Sequence, residues 1–148
     1  MGIRERKRAD AQWKGAVPTG VGHIRTGSGA VDRDYSLRSR ETEDAAASTN
    51  PEELIGAGLA ACFAMSVANL LEEHGYDGVE VAAQAMVQLE ETDAGFRITE
   101  ILMSVSGSAE QLTDAEFAKL ADEAKRTCPV SRALAGTTIT LTDAKVAS

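Results

Sequence analysis

The amino-acid sequence predicts an α+β fold, on three observations. Short alternating segments broken by glycines fill roughly the first 45 residues. An uncharged apolar helix then opens at Asn50-Pro51, and a second alternating pair around Asp93-Ala94-Gly95 precedes a capped helix. Strands and helices in this order do not form the regular strand–helix–strand repeat of a parallel α/β sheet. With 148 residues the chain is long enough to bury a core as one domain spanning 1–148. The cluster Arg4, Arg6, Lys7 and Arg8 marks residues 1–9 as a flexible N-terminus.

Alternation in Ala11-Gln12-Trp13-Lys14, Val21-Gly22-His23-Ile24-Arg25 and Tyr35-Ser36-Leu37-Arg38-Ser39-Arg40 predicts three short strands. Gly15, Pro18, Gly20, Gly27 and Gly29 punctuate them, with Gly27-Ser28-Gly29 as a hairpin turn. On the third strand Tyr35 and Leu37 share one face, Arg38 and Arg40 the other. Asp44 to Ser48 reads as a small-residue loop.

The helix that follows has clear start chemistry. Asn50 is a good N-cap, Pro51 suits the first helical position, and Glu52 and Glu53 place negative charge in the first turn. It is expected to run to about His74, with Gly75 as its stop. From Leu54 onward it is apolar or small on every side, which predicts burial all round, with Met65 and the later Met86 as core filler. Gly56, Ala57, Gly58, Ala60 and Ala61 permit close backbone approach.

Val79 to Leu89 and Phe96 to Val105 form an expected antiparallel hairpin, and the parity change between Ile98 and Ile101 predicts a bulge near Thr99-Glu100. Thr113-x-x-Glu116 is a capping box opening a helix through about Thr127. Cys128-Pro129 begins a short helix ending at Gly136, and Thr137 to Thr142 is a last strand.

A net charge of −8 argues against a phosphate-neutralising surface, so nucleic acid is not an expected partner. The uncharged run around Cys62, taken as Leu54 to Ala68, is roughly 15 residues and falls short of the ~20 that span a bilayer, so no membrane partner is expected. The N-terminal segment is charged and lacks a secretory h-region, which predicts a cytoplasmic protein whose thiols rest reduced.

The two cysteines, Cys62 and Cys128, carry the functional signal. A thiol attacks only as thiolate, and apolar surroundings oppose that form. Cys62 lies about three turns into its helix, beyond the reach of the N-terminal dipole. It needs a cation from another segment, because no Lys or Arg lies between Arg40 and Arg97. The segment carrying Arg38 and Arg40 is the natural donor. Cys128, just before Pro129, is an expected N-cap whose neighbouring N–H groups favour a thiolate. Composition and spacing leave two readings open: a redox pair, or two buried small hydrophobes. His23 and His74 lack metal-ligand spacing with the cysteines, there is no CxxC, and no metal is expected.

The segment Thr49 to Phe63, TNPEELIGAGLAACF, resembles the first-cysteine motif of the OsmC/Ohr family of thiol peroxidases. Cys128-Pro129-Val130-Ser131 resembles the second-cysteine motif, and Asp93-Ala94-Gly95-Phe96 with Ile98 resembles the family's central hairpin. The resemblance extends from about Trp13 to Leu141, and Glu53 with Ile55-Gly56 places it nearer the OsmC branch than Ohr. It implies antiparallel sheets wrapped around two central helices in an intertwined homodimer. It also implies a cysteine-based reductase of organic hydroperoxides and, more weakly, hydrogen peroxide.

By the same resemblance Cys62 matches the peroxidatic cysteine and Cys128 the resolving one. Glu52 matches the active-site glutamate, and Arg40 the active-site arginine, with Arg38 the other candidate. A Cys62–Cys128 disulfide recycled by an external dithiol, of lipoyl type, is then expected, with no cofactor. Ten residues of ideal helix separate Glu52 from Cys62 by about 15 Å along the axis, so the two cannot meet on one straight helix. The expectation is that Glu52, or the arginine it holds, serves the partner chain. The competing expectation is a non-catalytic thiol redox sensor or binding protein.

Overall fold

The computed structural model describes residues 2–42 and 48–147, so residues 44–47 of the expected 44–48 loop lie outside the described residues. The chain forms two compact units, Met1–Leu54 and Ile55–Ser148. The first holds an antiparallel sheet in the order β1 (Ala9–Lys14), β2 (Val21–Thr26), β3 (Asp32–Tyr35). His23 pairs with Gln12 on one side and Asp34 on the other, so the charged residues of these strands other than Arg33 share one face. The turns come where glycines were expected, with Gly15 and Gly29 at φ of +95° and +75°.

The third strand ends earlier than its alternation predicted. Leu37–Glu41 is a short helix, α1, so Arg38 and Arg40 sit on a helix rather than a strand face. The cause is local hydrogen bonding. Ser36 Oγ accepts the Ser39 N–H at 3.1 Å, and Ser39 Oγ accepts the Ser36 N–H at 2.8 Å. This reciprocal cap stabilises a helical turn against a weak alternation over a few residues.

Helix α2, Pro51–Glu73, starts in the first unit and continues into the second. Its start is as expected: Asn50 Oδ1 accepts the Glu53 N–H at 2.8 Å, and Gly75 terminates it at φ +83°. The second unit adds β4 (Glu80–Thr92), β5 (Gly95–Ser108), α3 (Asp114–Thr127), α4 (Pro129–Ala133) and β6 (Thr138–Val146). β4 and β5 form the expected antiparallel hairpin. Gln88 pairs with Glu100 but Leu89 with Ile98, which leaves Thr99 as the extra residue where the bulge was predicted.

The second sheet, in the order β4-β5-β6, is mixed rather than antiparallel, because β6 pairs parallel to β5. Helices α3 and α4 supply the crossover that a parallel return requires. β6 also runs past the expected Thr142 to Val146, whose N–H donates to Asp114 Oδ1 at 2.8 Å. The Thr113 hydroxyl caps α3 by accepting the Glu116 N–H at 3.3 Å.

The core of this unit joins Leu59, Phe63, Val67 and Leu71 of α2 to Ile101, Met103 and Val105 of β5. Phe117, Leu120, Ala121 and Ala124 of α3 close it. Four α2 residues at four-residue spacing make one buried stripe, each fully buried side chain contributing about 1.5–3 kcal/mol. Burial is therefore one-sided, not all round. Ala57, Gly58, Ala61 and Met65 are exposed, and Met65 (75%) and Met86 (59%) are not core filler in this chain. The length read for the uncharged run also needs correcting. The uncharged run continues to Leu71, and α2 is by length and composition apolar enough to cross a bilayer. Its Leu59–Leu71 stripe is nonetheless buried inside the protein.

Candidate active site

Two clusters hold the four candidate residues, one in each unit. In the first, α1 is pinned to the segment that opens α2. The Ser39 hydroxyl faces the Thr49 carbonyl at 2.9 Å, and Asn50 Nδ2 donates to the Ser39 carbonyl at 2.9 Å. Thr49 Oγ1 donates to Glu53 Oε2 at 2.8 Å, so Glu53 serves the helix start. These contacts put Arg40 over the first turn of α2. Its Nε lies 2.8 Å and its Nη2 2.6 Å from Glu52 Oε1.

The pair is unequally exposed, with the Arg40 side chain 34% and the Glu52 side chain 9% accessible. A carboxylate this deep is tolerated because a guanidinium and the positive end of α2 both meet it. Arg38 is exposed, and its carbonyl accepts the Thr42 N–H at 3.0 Å. Of the two candidate arginines, Arg40 is the one held by Glu52. A pocket of about 180 Å³ adjoins it, lined by Trp13, Val17, Tyr35, Leu37, Arg40 and Pro51 among others. Trp13 and Tyr35 pack at 5.5 Å between ring centroids.

In the second cluster, Cys62 on α2 and Cys128 between α3 and α4 bring their sulfurs to 2.9 Å, both as free thiols. Cys128 is the N-cap of α4 as expected, with Pro129 following, and is fully buried; Cys62 is half-buried. The Cys128 N–H donates to the Ala124 carbonyl at 2.8 Å and the Cys128 carbonyl accepts the Arg132 N–H at 3.0 Å, which fixes the backbone at the junction of α3 and α4.

The two thiols titrate as a pair. Burial pushes the Cys62 thiol up, and hydrogen bonding to Cys128 pushes it further, against the opposing Val130 N–H and Ser66 hydroxyl. Burial also opposes ionisation of Cys128. There the Cys62 thiol, the Ser131 N–H and hydroxyl, and the Val130 N–H outweigh it, and its pKa lies below the ordinary value. At 2.9 Å either sulfur can donate to the other. The donors converging on Cys128 favour Cys62 S–H donating to a Cys128 thiolate. When the pair ionises, the charge within this unit is therefore favoured on Cys128 over Cys62, and a thiolate at Cys62 calls for a further positive group.

The structure thus brings Arg40 to Glu52 and Cys62 to Cys128. Sequence reasoning missed Ser66, Ser131 and the Trp13–Tyr35 wall. Helical spacing could have found the serines, since Ser66 follows Cys62 by four residues and Ser131 follows Cys128 by three. His23 was also underread: its ring nitrogens hydrogen-bond Asp32 and Asp34 separately. Those carboxylates sit on opposite ring nitrogens instead of converging on one point. Among the described residues no group of three or more His, Cys, Asp or Glu is placed to hold a metal ion.

Comparison with known proteins places the chain. The family model described as OsmC-like protein matches residues 42–142. The chain is 36% identical to peroxiredoxin OsmC of Escherichia coli over 129 residues, covering 86% of this chain and 89% of that protein. It is 30% identical to organic hydroperoxide resistance protein OhrB of Bacillus subtilis, covering 78% and 83%. Among solved structures, the organic hydroperoxide resistance protein OsmC of Legionella pneumophila superposes with a TM-score of 0.72 at 25% identity, over 99% of this chain and 100% of that one. The chain belongs to the OsmC-like protein family.

Proposed function

We propose that this protein is a cytoplasmic, stress-protective peroxidase that reduces organic hydroperoxides, and hydrogen peroxide more weakly, through Cys62 and Cys128. The observation that carries the reading is the 2.9 Å approach of two free thiols from residues 66 positions apart. The names of its relatives, a peroxiredoxin and organic hydroperoxide resistance proteins, support the same chemistry.

The Cys62 thiolate attacks one peroxide oxygen, breaking the O–O bond. Cys62 becomes a sulfenic acid, and the departing alkoxide takes a proton to leave as alcohol. Cys128 then attacks the sulfenic sulfur, water leaves, and a Cys62–Cys128 disulfide forms before over-oxidation can occur. An external dithiol of lipoyl type restores both thiols as its own sulfurs form a disulfide. Arg40 supplies the positive charge that draws the anion onto Cys62 and meets the charge on the leaving oxygen. Glu52 holds the guanidinium in place.

This chemistry works best in a homodimer in which Arg40 and Glu52 of one chain serve Cys62 of the other. Two observations support that assembly. Ten residues of one helix lie between Glu52 and Cys62, and α2 leaves an apolar exposed face at Ala57, Gly58, Ala61 and Met65. Residues 1–148 then work as a single functional domain.

The test is peroxide consumption with a dithiol donor in excess. Native protein should turn over repeatedly and Cys62→Ser should not. Without the dithiol, Cys128→Ser should consume one equivalent to reach the Cys62 sulfenic acid and a second to reach the sulfinic acid, visible as two added oxygens in the intact mass. Stoichiometric oxidation of the native protein without turnover would instead identify a redox sensor.

A further inference from the structure

The two sulfurs differ in access, and that difference sets the direction in which a bridge between them is opened. Cys128 is fully buried and Cys62 is half-buried, so an incoming thiolate meets Cys62 first. Attack there joins the reductant sulfur to Cys62 and expels Cys128 as a thiolate. The second reductant thiol then displaces Cys62, which takes a proton. Two electrons pass from the dithiol to the protein disulfide. The first step quickens as the leaving thiol becomes a weaker base. Its rate therefore depends on what meets negative charge at Cys128.

One side chain is placed for that task and has no other. Ser131 is the third residue of α4, whose N-cap is Cys128, and an N3 side chain folds back over the N-cap. Ser131 is 7% exposed, and its buried Oγ has no close acceptor among the described residues, so that its pull on the Cys128 sulfur is all it exerts. A buried hydroxyl lacking an acceptor is a cost that native structures rarely carry without reason. A neutral thiol is a weak acceptor, but a thiolate is a strong one. The hydroxyl gains its full partner only when Cys128 carries charge.

We infer that Ser131 is the hydrogen-bond donor to the Cys128 sulfur as it leaves, and that it thereby speeds reductive opening of the bridge by attack at Cys62. The inference rests on the proposed reading only in that the bridge forms. The downward pull on Cys128 described above agrees with this role.

The experiment uses full-length protein oxidised with one equivalent of diamide, a reagent that forms the bridge while itself becoming a hydrazine. Peroxide turnover is not involved, so its failure and this one are distinguishable. Bridge opening by dithiothreitol is followed by the thiolate absorbance near 240 nm and by mass. Ser131→Ala should open about three to ten times more slowly, and the pH at which its thiolate appears should rise. Ser131→Thr, which keeps the hydroxyl, should restore both. An unchanged opening rate in Ser131→Ala, or equal slowing in Ser131→Thr, overturns the inference. A second measurement needs no variant. Oxidised native protein is opened with a monothiol, quenched with acid and digested, and the mixed disulfide should lie on Cys62; a mixed disulfide on Cys128 overturns the proposed direction.

Discussion

Glu52 holds Arg40 through one oxygen. Oε1 receives both Nε and Nη2 of the guanidinium, at 2.8 and 2.6 Å, while Oε2 is buried with no hydrogen-bond partner among the described residues. This differs from a two-oxygen fork, in which both carboxylate oxygens would be satisfied by arginine. The single-oxygen contact fixes the edge of the guanidinium carrying Nε and leaves the rest of the group to other contacts.

Arg40→Ala should therefore harm both stability and activity. Removing the guanidinium leaves the Glu52 carboxylate buried against one missing partner, a change that costs several kcal/mol in a fully dry site. Arg40 is about a third exposed, so screening reduces the expected loss to about 1–3 kcal/mol, read as a lowered urea midpoint. If the proposed role holds, the alkylation of Cys62 should also shift to higher pH. Arg38→Ala, at an exposed side chain, should change neither reading by much; a larger effect there would move the role to Arg38.

Much of this architecture was legible because its signals are local. Asn50-Pro51 with the two glutamates marked the start of α2, and Gly75 its end. The parity change between Ile98 and Ile101 located the bulge at Thr99 within one residue. The proximity of Cys62 and Cys128 was suggested by motif resemblance, since nothing local in either segment encodes a contact 66 residues away. What escaped depended on neighbours. The Ser36–Ser39 cap converted an expected strand into α1, because two side-chain hydrogen bonds outweigh a brief alternation. The direction of β6 depended on the crossover through α3 and α4. The exposure of Met65 and Met86 depended on which face of α2 and β4 the core occupies, and apolar composition alone does not show that.

Gly107 tests the packing of α3 on the sheet. A Cβ at this position would sit 2.7 Å from the Phe117 ring and 3.2 Å from the Glu80 carbonyl oxygen. Phe117 is fully buried, so its ring has nowhere to retreat, and the carbonyl belongs to the paired strand β4. Gly107→Ala should cost about 1–3 kcal/mol through overpacking. Thermal unfolding at fixed pH measures it, and a native-like midpoint would show that α3 can shift away from β5.

His23 links the stability of the first sheet to pH. Hydrogen bonds donated to Asp34 first and then to Asp32 raise its pKa, and the bond to Asp32 lowers that carboxyl's pKa. Both ring nitrogens meet carboxylates, so the arrangement needs the doubly protonated imidazolium. Arg25 and Arg33 lie close enough to favour the Asp32 carboxylate too, and Gln12, across from His23 on β1, carries no charge. A raised folded pKa means that the His23 contribution is fully present below the unfolded value of about 6.5 and is lost as pH rises through the folded value. Asp32 acts in the other direction: its contribution is present above the ordinary carboxyl range and is lost as pH falls through its lowered value. The sheet should thus be most stable at mildly acidic pH, between those two edges. Amide exchange of β2 and β3, measured from pH 5 to 9 and corrected for the intrinsic rate, should show protection falling on the alkaline side. His23→Gln should flatten that fall, since glutamine cannot titrate there. An equally steep fall in His23→Gln would assign the alkaline loss to another group and remove His23 from the account.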